Sequence, residues 1–330
     1  RRSSDLFGKP RPKLIKKASW GFEYEAGDAY DFFLGLGAVA HADERHLHGE
    51  IAFWNDVMQH GTRDEFWRAR DPRPYYKNAK PAVLTVGGLF DAEDCWGALA
   101  TYRAFASQSP GSEVALVMGP WGHGGWTRTT GERLGDITFG SKTSEHYQQA
   151  IELPFFEHHL KDAPARELPE ASVFETGVNR WREFSQWPPP TRARALYFGP
   201  GEALLATAPG GGEFDEFISD PHKPVPATQD IHTGMPKEYM TEDQRFAARR
   251  PDVLVYQTAP LTEDLTVAGP LSAELWVSTT ADDADWIAAL SRLRDECTGA
   301  KETLSSAPDA LIEAWGDAGA ALPISRACAR

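Results

Sequence analysis

The chain has 330 residues, 41% apolar and 11% aromatic, a globular composition long enough for one large core or two to three domains. Its formal net charge of −14 argues against nucleic acid or an anionic membrane surface as partner and mildly favours cationic ligands. No run approaches the roughly 18 apolar residues that span a bilayer, and the three scattered cysteines, Cys95, Cys297 and Cys328, form no C-x-x-C and suggest neither a zinc ribbon nor a disulfide framework. The N-terminus, Arg1-Arg2-Ser3-Ser4-Asp5, lacks a signal-peptide core and an initiator Met, so the chain is read as a segment of a longer protein whose compartment does not follow from these residues.

Residues 1–78 read as loop and helix. Asp28 is placed to cap a helix beginning at Ala29. Ile51, Trp54, Val57 and Met58 recur at helical spacing within a helix expected from His48 to Gln59. A third short helix is expected to start at Asp64 and stop before Pro72 and Pro74. His41, His46 and His48, near Asp43, Glu44 and Glu50, lack metal-motif spacing and read as a solvated charged loop.

Residues 79–165 alternate strand and helix. Ala82–Val86 and Val114–Met118 are β-type apolar runs. Between them, Cys95, Leu99, Tyr102 and Phe105 mark one face of a helix over Glu93–Ala106. Ser144–Lys161 is again helical, with Tyr147, Ile151, Phe155 and Leu160 as apolar positions and a distortion expected at Pro154. This alternation argues for a parallel sheet flanked by helices, whose ligands bind beyond the C-terminal strand ends. From Pro169 the texture turns to Pro, Gly and short β-type runs (Arg194–Phe198, Val253–Gln257, Leu271–Ser278), which reads as a partial β-sandwich or jelly roll over 166–290. Residues 291–330 shift again to Ala, Arg, Glu and Ser, and are read as an atypical tail of unrelated or frameshifted origin.

Each of the two apolar runs ends in glycine and then delivers one polar residue: Asp91 after Gly87-Gly88-Leu89-Phe90, and His123 after Gly119-Pro120-Trp121-Gly122. They stand 32 residues apart, room for one helix and one strand. An acid and a histidine at neighbouring strand ends are two members of a nucleophilic triad, in the acid-then-histidine order of α/β-hydrolases. Taken alone, Asp91 could equally cap the following helix, and His123 could be a solvated turn residue.

The words around them carry more. Gly88-Leu89-Phe90-Asp91 and Gly119-Pro120-Trp121-Gly122-His123 resemble the acid and histidine motifs of the cocaine esterase and Xaa-Pro dipeptidyl-peptidase superfamily, the CocE/NonD serine hydrolases. Asp64-Glu65-Phe66-Trp67 resembles the end of that family's helical cap, and Phe174–Trp187 the entry to its C-terminal jelly roll. The resemblance covers roughly residues 20–290. It implies an α/β-hydrolase domain with a helical cap, followed by a partial jelly-roll domain. It implies Asp91 and His123 as catalytic acid and base, and no cofactor or metal.

Asp91-Ala92-Glu93-Asp94-Cys95-Trp96 further resembles the α-amino-acid ester hydrolases and cephalosporin acylases, which implies Glu93 and Asp94 as ligands of a substrate α-ammonium group. The alternative for both is a first-turn acid favouring the helix dipole. The implied partner is a small molecule or short peptide bearing that ammonium; self-association is implied only by the resemblance. One departure is plain: no G-x-S-x-G occurs in the 330 residues. The family's nucleophile elbow is therefore expected upstream, and this chain is expected to be a fragment, inactive by itself, with exposed apolar sheet edges.

Overall fold

In the computed structural model, the two apolar runs lie side by side. β1 (Val83–Gly88) and β2 (Val114–Gly119) are parallel and in register from Val83↔Val114 to Gly88↔Gly119. The structure describes residues 26–164, 168–212, 214–233, 241–282, 284, 286–290, 310–313 and 320–327. Two units are distinguished: residues Arg1–Pro74 with Asp220–Pro236, and residues Tyr75–Ser219 with Lys237–Arg330.

Both faces of β2 are covered, as a buried parallel strand requires. Leu116 and Met118 pack into one apolar cluster with Leu99, Tyr102, Phe139 and Phe174. Val117 alternates to the other face, into a cluster with Trp121, Tyr147 and Ile151. Each such side chain contributes about 1.5–3 kcal/mol on leaving water. α4 (Cys95–Gln108) connects the two strands and buries Leu99, Ala100 and Tyr102. Its Phe105 stacks on Tyr76, with ring centroids 4.1 Å apart.

The sheet does not stop where the sequence texture changes. β5 (Ala171–Glu175) runs parallel to β2, pairing Leu116↔Ala171 through Met118↔Val173, and β6 (Arg180–Phe184) returns antiparallel to it. The strand order is β1-β2-β5-β6. These strands fall within the segment expected to open the jelly roll. All five residues of β5 are buried, so the chain here serves as an interior strand of the mixed sheet. The outer edge of β1 has no strand beside it among the described residues, and Val83, Leu84 and Val86 along it are half-buried.

After β2 come α5 (Gly125–Arg128), the small ladder of β3 (Arg133–Leu134) with β4 (Ile137–Thr138), and α6 (Thr143–Tyr147). A π-turn over Gln148–Glu152 joins α6 to α7 (Leu153–Lys161) just before Pro154, which lacks the N–H that would continue an α-ladder. Tyr147, Ile151 and Phe155 are buried as expected, but Leu160 is exposed. It follows Phe155 by five positions, which turns it about 140° off the apolar stripe.

The remaining β-rich part forms ribbons: β7 (Tyr197–Gly199) with β8 (Ala203–Leu205), β9 (Leu265–Leu271) with β12 (Ala320–Ala327), and β10 (Ile287–Leu290) with β11 (Ala310–Glu313). The expected strands at 253–257 and 271–278 differ. Gln257 makes only a single bridge, to Ala203, and residues 272–278 pair with nothing described. β-type composition yields a ladder only where a partner runs alongside. Of the expected tail, residues 291–309, 314–319 and 328–330 lie outside the described residues.

In the first unit, α1 (Ala29–Leu36) is capped by Asp28, whose Oδ1 accepts from the Tyr30 N–H. α2 (Ala52–Gln59) starts later than the spacing suggests, because His48 and Gly49 both take left-handed backbone, φ 49° and 73°. α3 (Glu65–Arg68) is capped by Asp64, accepting from the Phe66 N–H. Among the described residues no helix is long and apolar enough to cross a membrane.

Candidate active site

The C-terminal ends of β1 and β2 are stitched together by backbone. Leu89 N–H donates to the Gly119 carbonyl at 2.8 Å, and Phe90 N–H donates to the Trp121 carbonyl at 3.0 Å. The glycines of the two motifs make this approach feasible. A Cβ on Gly88 would lie 2.1 Å from the Trp121 carbonyl oxygen, and one on Gly119 would lie 2.4 Å from the Trp121 ring. The Trp121 ring folds back into the core beside Tyr147 and Trp181. Its Nε1–H donates to Thr143 Oγ1 at 2.8 Å, and Thr143 in turn donates to the Gly131 carbonyl at 2.7 Å. Trp121 therefore pins the turn that presents His123.

Asp91 is 2% exposed. Its Oδ1 accepts the backbone N–H groups of Glu93 (2.9 Å) and Asp94 (3.0 Å), and both carboxylate oxygens face His123 Nδ1, at 3.2 and 3.1 Å. Asp91 is not the cap of the following helix: α4 begins at Cys95 with Asp94 as its N-cap residue, and Asp91 instead holds the Glu93-Asp94 turn just before it while contacting the histidine. A carboxylate can only accept, so the contact assigns the imidazole proton to Nδ1 and leaves Nε2 as the acceptor. His123 is partly exposed. Among the described residues no hydroxyl hydrogen-bonds its Nε2.

Glu93 and Asp94 converge on the same ring nitrogen. Asp94 Oδ2 lies 3.6 Å and Glu93 Oε1 4.0 Å from His123 Nδ1. Partial burial, and then the charge of Asp91, raise the Asp94 carboxyl above its ordinary value. Burial and the same carboxylate push the neighbouring Cys95 thiol up to about 11, so it stays protonated. The structure thus brings together all four residues singled out from the sequence. The loop histidines behave differently: His41 Nδ1 lies 3.1 Å from the Leu36 carbonyl, and His48 sits in the left-handed turn that ends a π-turn over Asp43–Leu47.

Two supporting features were not read from the sequence. Thr143 had no signal, since it meets Trp121 across 22 residues. Glu175, at the end of β5, is fully buried and held by Arg180 at 3.2 Å and Arg182 at 3.4 Å. The acid followed by basic residues in one hairpin, Glu175…Arg180…Arg182, was its available signal.

The model of the X-Pro dipeptidyl-peptidase (S15 family) matches residues 15–125, which include Asp91 and His123. That of the X-Pro dipeptidyl-peptidase C-terminal non-catalytic domain matches residues 164–330. Cocaine esterase of Rhodococcus sp. (strain MB1 Bresler) is 31% identical over 279 residues, 78% of this chain and 46% of its own length. The crystal structure of an aminopeptidase from a marine sediment archaeon, Thaumarchaeota archaeon, superposes with a TM-score of 0.77 at 29% identity, covering 95% of this chain and 56% of that one. An α-amino acid ester hydrolase superposes with a TM-score of 0.77 at 26% identity, covering 94% and 51%. The chain therefore spans about half the length of these relatives.

Proposed function

The chain belongs to the X-Pro dipeptidyl-peptidase (S15) family, among the CocE/NonD α/β-hydrolases with a C-terminal β domain, and on that premise we propose that it carries the acid and the base of a Ser-Asp-His hydrolase. The observation that carries the reading is Asp91, buried, with both oxygens on His123 Nδ1. In this role Asp91 fixes the tautomer and stabilises the imidazolium, while Nε2 takes the proton of a serine hydroxyl and later returns it to the leaving group. The substrate class is an ester or amide of an α-amino acid, or an Xaa-Pro dipeptide unit. A primary ammonium loses its water only against several anionic acceptors, and Glu93 and Asp94 supply two beside the dyad.

With an in-frame G-x-S-Y-x-G segment completing the site, His123→Ala should lower kcat for an α-amino-acid ester by about 10³-fold or more. Unchanged turnover would remove His123 from the reaction. One observation favours a second reading for these 330 residues by themselves: they contain no G-x-S-x-G. A fluorophosphonate probe should leave the chain unlabelled, and labelling at any of its serines would overturn that reading.

A further inference from the structure

The four side chains at the ends of β1 and β2 have a second property that proton transfer does not use. The nearest ligand atoms of Asp91, Asp94 and His123 all lie within 4.8 Å of one another. From His123 Nδ1 the distances are 3.1 Å to Asp91 Oδ2, 3.6 Å to Asp94 Oδ2 and 4.0 Å to Glu93 Oε1. A tetrahedral zinc ion with bonds of 2.0–2.1 Å needs ligand atoms about 3.3 Å apart. The first two distances bracket that edge, and the third lies just outside it, on a half-exposed Glu93 side chain. The donor set is an imidazole nitrogen with three carboxylates, which suits zinc-type ions better than calcium or magnesium. Asp91 is held in place by the N–H groups of Glu93 and Asp94 on its Oδ1, while Oδ2, which takes neither of these bonds, lies 3.1 Å from His123 Nδ1.

We propose that Asp91, Glu93, Asp94 and His123 form a binding site for a divalent transition ion of the zinc type, and that its occupation switches the dyad off. The ion takes the lone pair of Nδ1. The neutral ring keeps its single proton, which moves to Nε2, so Nε2 becomes a donor and can no longer accept a proton from a nucleophile. The Asp91 carboxylate exchanges its hydrogen bond for a metal bond, and the Glu93 and Asp94 oxygens are withdrawn from any ammonium. Binding rests on geometry alone; only the inhibitory half rests on the reading of Asp91 and His123 as acid and base.

Cobalt(II) titration of the full 330-residue chain tests the binding directly. One equivalent should develop the intense visible absorption of tetrahedral Co²⁺, and one equivalent of Zn²⁺ should remove it, whereas excess Mg²⁺ should not. Asp94→Asn, at an exposed position, should keep the fold and weaken Zn²⁺ binding about tenfold or more; His123→Gln should abolish the visible band. Nitrogen-15 NMR of the His123 ring should show the proton moving from Nδ1 to Nε2 on Zn²⁺ addition. An octahedral-type spectrum only, or Asp94→Asn and His123→Gln chains that bind like the wild type, would overturn the site and place the ion elsewhere, as at the His41–His48 loop. These readouts need no turnover, so a failure of the hydrolase reading leaves them unaffected. If Co²⁺ binds as described but Zn²⁺ does not inhibit a serine-completed enzyme, the switch is wrong and the site stands.

Discussion

The backbone N–H of Phe90 donates to the carbonyl of Trp121 at 3.0 Å, and this bond ties the turn that carries Asp91 to the turn that carries His123. The same oxygen occupies the space where a side chain on Gly88 would stand. The contact of Asp91 with His123 thus depends on main-chain geometry two and three residues away.

Gly88→Ala should destabilise the chain by about 3 kcal/mol or more, because its Cβ would meet a backbone carbonyl that cannot move without breaking the Phe90 bond. Gly122→Ala is the control. Its nearest neighbours are the Phe90 carbonyl oxygen at 3.6 Å and a Leu134 methyl at 3.7 Å, ordinary contacts, so the change should cost less than about 1 kcal/mol. Urea unfolding followed by tryptophan fluorescence measures both, and equal midpoints would show that the clash relaxes.

Thr143→Val removes the acceptor of the Trp121 Nε1–H and the donor to the Gly131 carbonyl, both in buried surroundings. Stranding these groups should cost about 1–3 kcal/mol, whereas Thr143→Ser, which keeps the hydroxyl, should restore most of it. A thermal melt of the two variants beside the parent checks this. A Val variant as stable as the parent would show that these two hydrogen bonds contribute nothing.

Asp94→Asn should stabilise the chain at neutral pH. The Asp94 carboxyl is raised in the folded state by burial and by the charge of Asp91, so folding binds its proton more tightly than the unfolded chain does. Stability therefore falls as pH rises from the ordinary carboxyl value through the raised one, and the penalty is fully present above it. Because the side chain is largely exposed, solvent screening holds the gain of the amide to under about 1 kcal/mol. Denaturation midpoints of the two chains should diverge as pH rises through the acid range and then run parallel.

Asp71 has the opposite sign. The Arg73 guanidinium grips its carboxylate in bidentate fashion, at 2.8 and 2.6 Å, the Arg73 backbone N–H donates at 3.0 Å, and Arg63 donates at 2.8 Å. These hold the carboxyl down to about 2, from an ordinary 3.8. Its stabilising contribution is complete above the ordinary value and is lost as pH falls towards 2. Asp71→Asn should flatten that part of the acid unfolding curve; an unchanged acid limb would show that the cluster contributes nothing.

What the residues alone made legible was local. Asp28 was readable as a cap because it bonds an N–H two residues on, and Asp64, expected as the first residue of its helix, does the same one position outside it. The two strands were readable because β1 and β2 are short apolar runs closed by glycine. Asp91, Glu93, Asp94 and His123 were readable because they follow those glycines in words shared with a family. Tertiary structure decided what sequence distance conceals. It placed β5 and β6 in the main sheet across a change of composition, since a strand belongs to whichever neighbour takes its hydrogen bonds. It brought Thr143 under Trp121, and it turned Glu93 and Asp94 towards the same ring nitrogen as Asp91. Caps and turns are fixed by groups a few bonds apart, and so they are written in order along the chain. Strand pairing, and the convergence of three carboxylates on one imidazole, depend on contacts that exist only after the chain has closed on itself.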